Sequence, residues 1–162
     1  MNTADFTAAL NTVEQDHRIL LDQIQALREA VTCLLDPDVD PTRGVDRLRE
    51  INAYLATQLE AHMEEEESTL FPLLEQEKPE GEALAARLRQ EHAEIRRRRA
   101  EFEGCLDVGR ELEGGPPRML LLDLVIYGWE LWEFLDCHAH LETRAVRQYL
   151  ARSFPRAAAG AP

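Results

Sequence analysis

The sequence predicts an all-α protein in which four helices form an up-down-up-down bundle. Three observations carry this prediction. Apolar residues recur at helical spacing in four separate stretches, and no stretch shows the alternation typical of a strand. The connections are short and contain proline, glycine and aspartate, which favours antiparallel neighbours. Each stretch also has one histidine on its apolar stripe, namely His17, His62, His92 and His138.

The first two helices are separated by a turn that contains two prolines and three aspartates. Helix one is expected to begin at Thr3 or near Thr12 and to reach Leu35, where the turn begins. Asp40 as N-cap and Pro41 at the first helical position then open helix two. The predicted apolar stripe of helix two contains Leu48, Ile51, Leu55, Leu59, His62, Glu66, Leu70 and Leu73.

The last two helices follow two further turn signals. The segment 78–81, Lys-Pro-Glu-Gly, precedes helix three, and the segment 114–117, Gly-Gly-Pro-Pro, precedes helix four. The predicted stripes contain Leu84, Leu88, His92, Ile95, Phe102 and Leu106 in helix three, and Leu120, Leu124, Tyr127, Leu131, Leu135, His138, Glu142 and Ala145 in helix four. Residues 1–152 are therefore predicted to form one domain, followed by a frayed tail over residues 153–162 that is rich in alanine and proline.

Composition and charge restrict the function classes. The chain has 162 residues, of which 44% are hydrophobic and 30% charged, as expected for a globular domain. No apolar run approaches the ~20 residues needed to cross a bilayer, and no signal peptide is recognisable, which predicts a cytoplasmic protein. The net charge of −13 disfavours nucleic acid and anionic membranes as partners. Cys33, Cys105 and Cys137 are predicted to be reduced thiols that pack as small hydrophobic residues.

Six side chains on the predicted stripes have the chemistry of metal ligands. They are His17, His62, Glu66, His92, His138 and Glu142. Each glutamate lies four residues after a histidine of its own helix, so both side chains of a pair lie on one helix face. A buried carboxylate without a partner costs several kcal/mol, so two glutamates at core positions require a cation. One carboxylate from each of two helices can bridge two metals, which leaves two histidines for each metal. The pattern predicts a dinuclear site of iron, manganese or zinc.

Other polar residues near this set have simpler explanations. Glu64, Glu65 and Glu67 belong to an acidic run and are predicted to lie on a solvated face. His140 is expected to be a surface histidine, because it lies two residues from His138. Ferritin-like sites use Glu-x-x-His from two helices, and here only Glu14 has that spacing to a predicted ligand, so that arrangement is disfavoured. Trp129, Trp132, Tyr54 and Tyr127 are predicted to pack, although either tyrosine could lie close to the site.

Arg96 has two interpretations. It lies one turn after His92, so it either contacts a bridging glutamate or bound anion, or turns outward to Glu75, Glu94 or water.

The combined pattern of ligands resembles the hemerythrin-like (HHE cation-binding) family. The resemblance covers roughly Val13 to Tyr149 and includes the stretch HMEEEESTLFPLL of helix two. It implies a non-haem di-iron centre with an oxo or hydroxo bridge, in which Glu66 and Glu142 are bridging carboxylates. It also implies that the four histidines are terminal ligands.

Two departures from oxygen-carrying members of that family affect the expected function. Arg96 stands where those members have a further histidine, and Thr143 stands where they have an aspartate. The resulting site is similar to the branch linked to iron–sulfur repair, iron sensing and nitric oxide or peroxide chemistry. The expected function is therefore binding of, or reaction with, oxygen, nitric oxide or hydrogen peroxide in a redox or nitrosative stress response. Oxygen or iron sensing, iron storage and reversible oxygen carriage stay open, as do catalase- or peroxidase-like turnover and the identity of an electron donor or partner protein.

Overall fold

The computed structural model describes residues 3–76, 78–108 and 115–153, with side chains from residue 11 onward. The helices are α1 (Thr3–Cys33), α2 (Pro41–Glu65), α3 (Phe71–Glu75), α4 (Pro79–Val108) and α5 (Arg118–Ser153). A π-helical turn over Glu66–Leu70 joins α2 directly to α3, so these two form one continuous rod. The described residues thus form four helical rods without a strand, which confirms the predicted fold class. None of the described helices has the length and apolar character needed to cross a membrane.

All neighbouring rods run antiparallel, as an up-down-up-down bundle requires. Along each pair, residue numbers rise on one rod while they fall on the other. For α1 with α2 the contacts that show this are Asp16–His62 and Leu34–Gly44, and for α2 with α4 they are Arg49–Leu106 and Arg96–Glu60. For α4 with α5 they are His138–Glu91 and Arg98–Glu130, and for α1 with α5 they are Arg147–Glu14 and Val31–Gly128. Side chains facing the bundle axis from all four rods can therefore meet at one level.

The predicted turns begin and end the helices for recognisable local reasons. The side chain of Asp40 accepts a hydrogen bond from the backbone N–H of Thr42 at 3.0 Å, and Pro41 opens α2, as predicted. Gly115, which precedes α5, has a φ of 92°, a conformation that residues with a Cβ rarely adopt. The neighbouring Gly114 and the predicted tail beyond Ser153 lie outside the described residues.

The interior consists of two apolar clusters separated by a polar layer. The large cluster includes Leu20, Leu27, Leu48, Leu55, Ile95, Phe102, Leu124 and Leu131, and the small cluster includes Val13, Leu70, Phe71, Leu74, Leu88, Val146 and Tyr149. In α1, for example, His17 lies between Val13 of the small cluster and Leu20 of the large one. The six predicted ligands thus lie in a layer enclosed by hydrocarbon.

The π-helical turn changes the phase of the second rod. The backbone N–H of Phe71 bonds to the carbonyl of Glu66, five residues earlier, so this turn contains one residue more than an α-helical turn. The predicted stripe had Leu73 facing the core, and Leu73 packs half-buried against the small cluster. Phe71 and Leu74, which were not in the predicted stripe, are fully buried. The burial of Phe71, five residues after Glu66, follows from the extra residue in the π-helical turn.

The tryptophans and cysteines differ in how well their positions were predicted. Trp129 and Trp132 pack edge to face, with ring centroids 5.0 Å apart, against the large cluster. All three cysteines are free, but Cys33 and Cys137 are exposed and Cys105 is half-buried. The prediction of buried cysteines is therefore wrong for Cys33 and Cys137, which lie on the solvent side of their helices.

Candidate metal centre

The structure brings all six predicted ligands together at one level of the bundle. Their ligand atoms form two groups of four, each within 4.8 Å. One group, here called the first half, is His17, His62, Glu66 and Glu142, and the other, the second half, is Glu66, His92, His138 and Glu142. Both glutamates belong to both halves. The sequence pattern had indicated this division, with two histidines on each side of a shared carboxylate pair.

The two oxygens of Glu66 face different halves. Its Oε1 lies 3.2 Å from Nε2 of His62, and its Oε2 lies 3.3 Å from Nε2 of His92. Oε2 of Glu142 lies 3.4 Å from Nε2 of His17 and 3.3 Å from Nε2 of His138. Each carboxylate therefore has oxygen atoms beside one histidine from each half, which is the arrangement that a bridging ligand needs.

The polar atoms of this layer are buried and lack hydrogen-bond partners among the described residues. All six residues are at most 7% exposed. The four Nε2 atoms and all four carboxylate oxygens make no hydrogen bond of acceptable geometry. An unsatisfied buried polar group costs about 1–3 kcal/mol, and more when it is charged. Eight such atoms converging from four rods fit metal cations, which satisfy nitrogen and oxygen lone pairs at once.

Outer carboxylates orient the two histidines of the second half. Nδ1 of His92 donates to Glu67 at 2.9 Å, and Nδ1 of His138 donates to Glu91 at 2.8 Å. A proton held at Nδ1 leaves the Nε2 lone pair facing the centre. The outer carboxylate also makes the imidazole more basic, and therefore a stronger metal ligand.

The first half has weaker outer support. The hydroxyl of Thr143 donates to the carbonyl of Ala139 at 3.1 Å, so its oxygen can accept from Nδ1 of His17 at 2.9 Å. Nδ1 of His62 lies 3.9 Å from Oδ2 of Asp16, too far for a hydrogen bond. The histidines of the first half thus have a neutral hydroxyl and a distant carboxylate, in place of two bonded carboxylates.

When no cation is bound, burial and contacts among the predicted ligands shift the pKa values of their side chains in opposite directions. Burial and the neighbouring Glu142 raise the pKa of Glu66 well above its usual range. Burial acts the same way on Glu142, but the close imidazoles of His138 and His17 outweigh it and lower its pKa. Burial and the nearby His17 lower the pKa of His62 to about 3. Burial also opposes protonation of His138, yet the neighbouring carboxylates of Glu142 and Glu91 raise its pKa to about 9.

Arg96 follows neither of its two interpretations. Its guanidinium donates to Glu60 at 2.7 Å and to Glu67 at 2.9 Å, so it contacts no bridging glutamate and does not pair with Glu75 or Glu94. The same Glu67 oxygen accepts from the α4 histidine of the second half. Arg96 therefore holds the outer carboxylate that orients a predicted ligand.

His140 and Glu14, which were predicted to lie apart from the site, and Tyr127, whose position was left open, do not belong to the ligand groups. His140 is exposed and bonds to the backbone carbonyl of Asp136, Glu14 pairs with Arg147, and Tyr127 packs against the large cluster. Glu64 and Glu65 are exposed, as expected. Glu67 is the exception in its acidic run, because it is half-buried and bonded to His92.

Replacing Glu67 by alanine is expected to weaken metal binding by about 10- to 100-fold, the usual loss when a residue that orients a ligand is removed. Competition with a chelator of known affinity measures this change. Glu64→Ala is the matched control, because Glu64 lies in the same acidic run but is exposed. Equal metal affinity in the two variants would show that the Glu67–His92 bond has no effect on the site.

Comparison with known families agrees with this geometry. The chain matches the hemerythrin HHE cation-binding domain over residues 8–150, a range that includes all six predicted ligands. The chain belongs to this family. As a hemerythrin HHE domain it is a cation-binding four-helix bundle, and its two histidine–glutamate groups could hold metal. No curated protein and no solved structure matches the chain.

Proposed function

We propose that this hemerythrin HHE domain binds two iron ions through His17, His62, Glu66, His92, His138 and Glu142, and that the centre binds or reacts with oxygen, nitric oxide or hydrogen peroxide. The observation that carries the proposal is the set of eight buried, unpartnered ligand atoms arranged as two overlapping groups. Mixed imidazole and carboxylate ligands without a thiolate suit iron.

The chain's own ligands leave room for a small molecule. Each half offers two imidazole nitrogens and two shared carboxylates. Two histidines and a carboxylate are also the ligands of mononuclear ferrous sites that keep open positions for oxygen. Bound ferrous iron would supply Lewis acidity and electrons to a small oxidant.

The surroundings of the proposed centre affect its net charge and the access of water to it. The two apolar clusters on either side limit access of water, and the low dielectric strengthens electrostatic interactions inside the layer. Glu66 and Glu142 would neutralise part of the metal charge. Behind the second half, Glu67 is paired with Arg96 and Glu91 with Arg87, so the outer carboxylates add little net charge. Their contribution would be to orient His92 and His138 and to make these imidazoles more basic.

Visible absorption of the anaerobically reduced, iron-loaded chain tests the proposal. We expect two iron ions per chain and a new absorption band after oxygen, nitric oxide or peroxide is added. A band that disappears when oxygen is removed would support reversible binding, whereas a permanent change would support redox chemistry. The zinc-loaded chain is the control, because zinc has no redox chemistry and should give no band. Iron-loaded chain that gives no spectral change with any of the three molecules would contradict the proposal.

A further inference from the structure

A groove between α1 and α5 borders one predicted ligand, His17, and has the composition of an anion site. Its volume is about 400 Å³, within the range of small-molecule sites. Leu21 and Ala139 give it apolar surface, and Arg18, Arg144 and Arg147 line it with guanidinium groups. The groove therefore combines positive charge with a hydrocarbon surface.

Two of the three arginines in the groove are free to bind a ligand. Arg147 is paired with Glu14, whose two carboxylate oxygens accept at 2.5 and 2.7 Å. Arg18 and Arg144 make no hydrogen bond or ion pair with any described residue. Glu14 is the one acidic residue among those lining the groove, and its pairing with Arg147 leaves a local excess of positive charge.

Many other arginines of the chain have acidic partners. The net charge is −13, which makes such partners plentiful. The four consecutive arginines of α4, residues 96–99, illustrate this, because each one pairs with a glutamate. Two unpaired guanidinium groups lining one groove are not explained by ion pairing within the fold.

We propose that this groove binds a small organic carboxylate with a short hydrocarbon chain. The planar guanidinium groups of Arg18 and Arg144 match a carboxylate in geometry and charge. The hydrocarbon part of the ligand would cover Leu21 of α1 and Ala139 of α5, which line the groove from its two helices. This inference does not depend on the proposed function, since none of the residues that recognise the ligand is a predicted metal ligand.

The groove also borders the candidate metal centre from outside. His17 and Thr143 line it, and the Thr143 hydroxyl is the group that accepts from Nδ1 of His17. A carboxylate bound in the groove would lie beside this hydrogen bond, on the opposite side of the imidazole ring from the centre.

Titration of the full chain with butyrate, in the absence of metal and followed by NMR, tests the proposal. We expect saturable shifts of resonances from Leu21 and Ala139, and at least tenfold weaker binding in the Arg18→Gln, Arg144→Gln double variant. The control is Arg43→Gln with Arg47→Gln, which removes the same charge from exposed positions of α2 and should leave binding unchanged. Butanol, which lacks the carboxylate, should not compete.

Saturable butyrate binding that is lost in the groove variant alone would support the carboxylate site. The proposal is overturned if butyrate does not saturate, if both double variants bind it equally, or if butanol competes. Because the titration contains no metal, a negative result here leaves the iron proposal intact, and a failure of the chain to bind iron leaves this result intact.

Discussion

If the chain binds iron as proposed, Glu66→Gln is expected to remove most of the stabilisation that this binding gives to the wild-type chain. A ligand present at a thousand times its dissociation constant stabilises the folded state by about 4 kcal/mol. For a chain of this size, each kcal/mol corresponds to roughly 2–4 °C in melting temperature. The wild-type chain should therefore melt about 8–16 °C higher with iron. Because the two oxygens of Glu66 face different halves, one substitution removes a proposed anionic ligand from both. Thermal unfolding with and without ferrous iron measures this increase in melting temperature for both chains, and the metal content shows how much iron each one binds.

The same substitution should have little effect on the metal-free chain. Burial raises the pKa of Glu66, so without metal its carboxyl tends towards the neutral form, which glutamine resembles in shape and charge. The free energy of unfolding of the metal-free chain is expected to change by no more than roughly 1 kcal/mol, and its melting temperature correspondingly little. Glu65→Gln is the control, since Glu65 is exposed and should leave both temperatures as they are. If Glu66→Gln kept two irons and the full temperature increase, Glu66 would not be a shared ligand.

Helical periodicity was sufficient to predict the six residues that converge in the bundle. Within one helix, a spacing of four residues determines that His62 and Glu66 share a face, whatever the helix packs against. The short connections then determine which rods are antiparallel neighbours. These two rules place every predicted ligand on the inward side. They do not require any knowledge of contacts between the rods.

The outer partners could not be predicted in the same way, because they depend on how the rods are aligned with each other. Glu91 directly precedes His92, yet it bonds to His138 on the next rod. Glu67 was assigned to a solvated face, but the π-helical turn and the position of α4 bring it to His92. An extra residue in one turn leaves no pattern in composition or spacing that distinguishes it from a regular helix.

Gly81→Ala is expected to destabilise the chain by about 2–3 kcal/mol, the cost of adding an atom to a packed interior. A Cβ at position 81 would lie 2.2 Å from the backbone carbonyl oxygen of Leu74 and 2.6 Å from the hydroxyl oxygen of Tyr149. The Tyr149 side chain can rotate, but the Leu74 carbonyl belongs to α3 and cannot move alone. The start of α4 would have to shift away from the small cluster. This shift should lower the melting temperature by roughly 4–12 °C.

Gly104→Ala, in the same helix, should have the opposite sign. A Cβ at position 104 would have no heavy atom within 4 Å beyond its own local backbone, and Gly104 is exposed. Alanine there should therefore stabilise the chain by about 0.5–1 kcal/mol, because glycine loses more backbone entropy on folding. Thermal unfolding of both variants without metal separates the two effects. If Gly81→Ala instead raised the melting temperature, as expected for Gly104→Ala, α4 would not lie tightly against Leu74. The close packing described for the small cluster would then be contradicted.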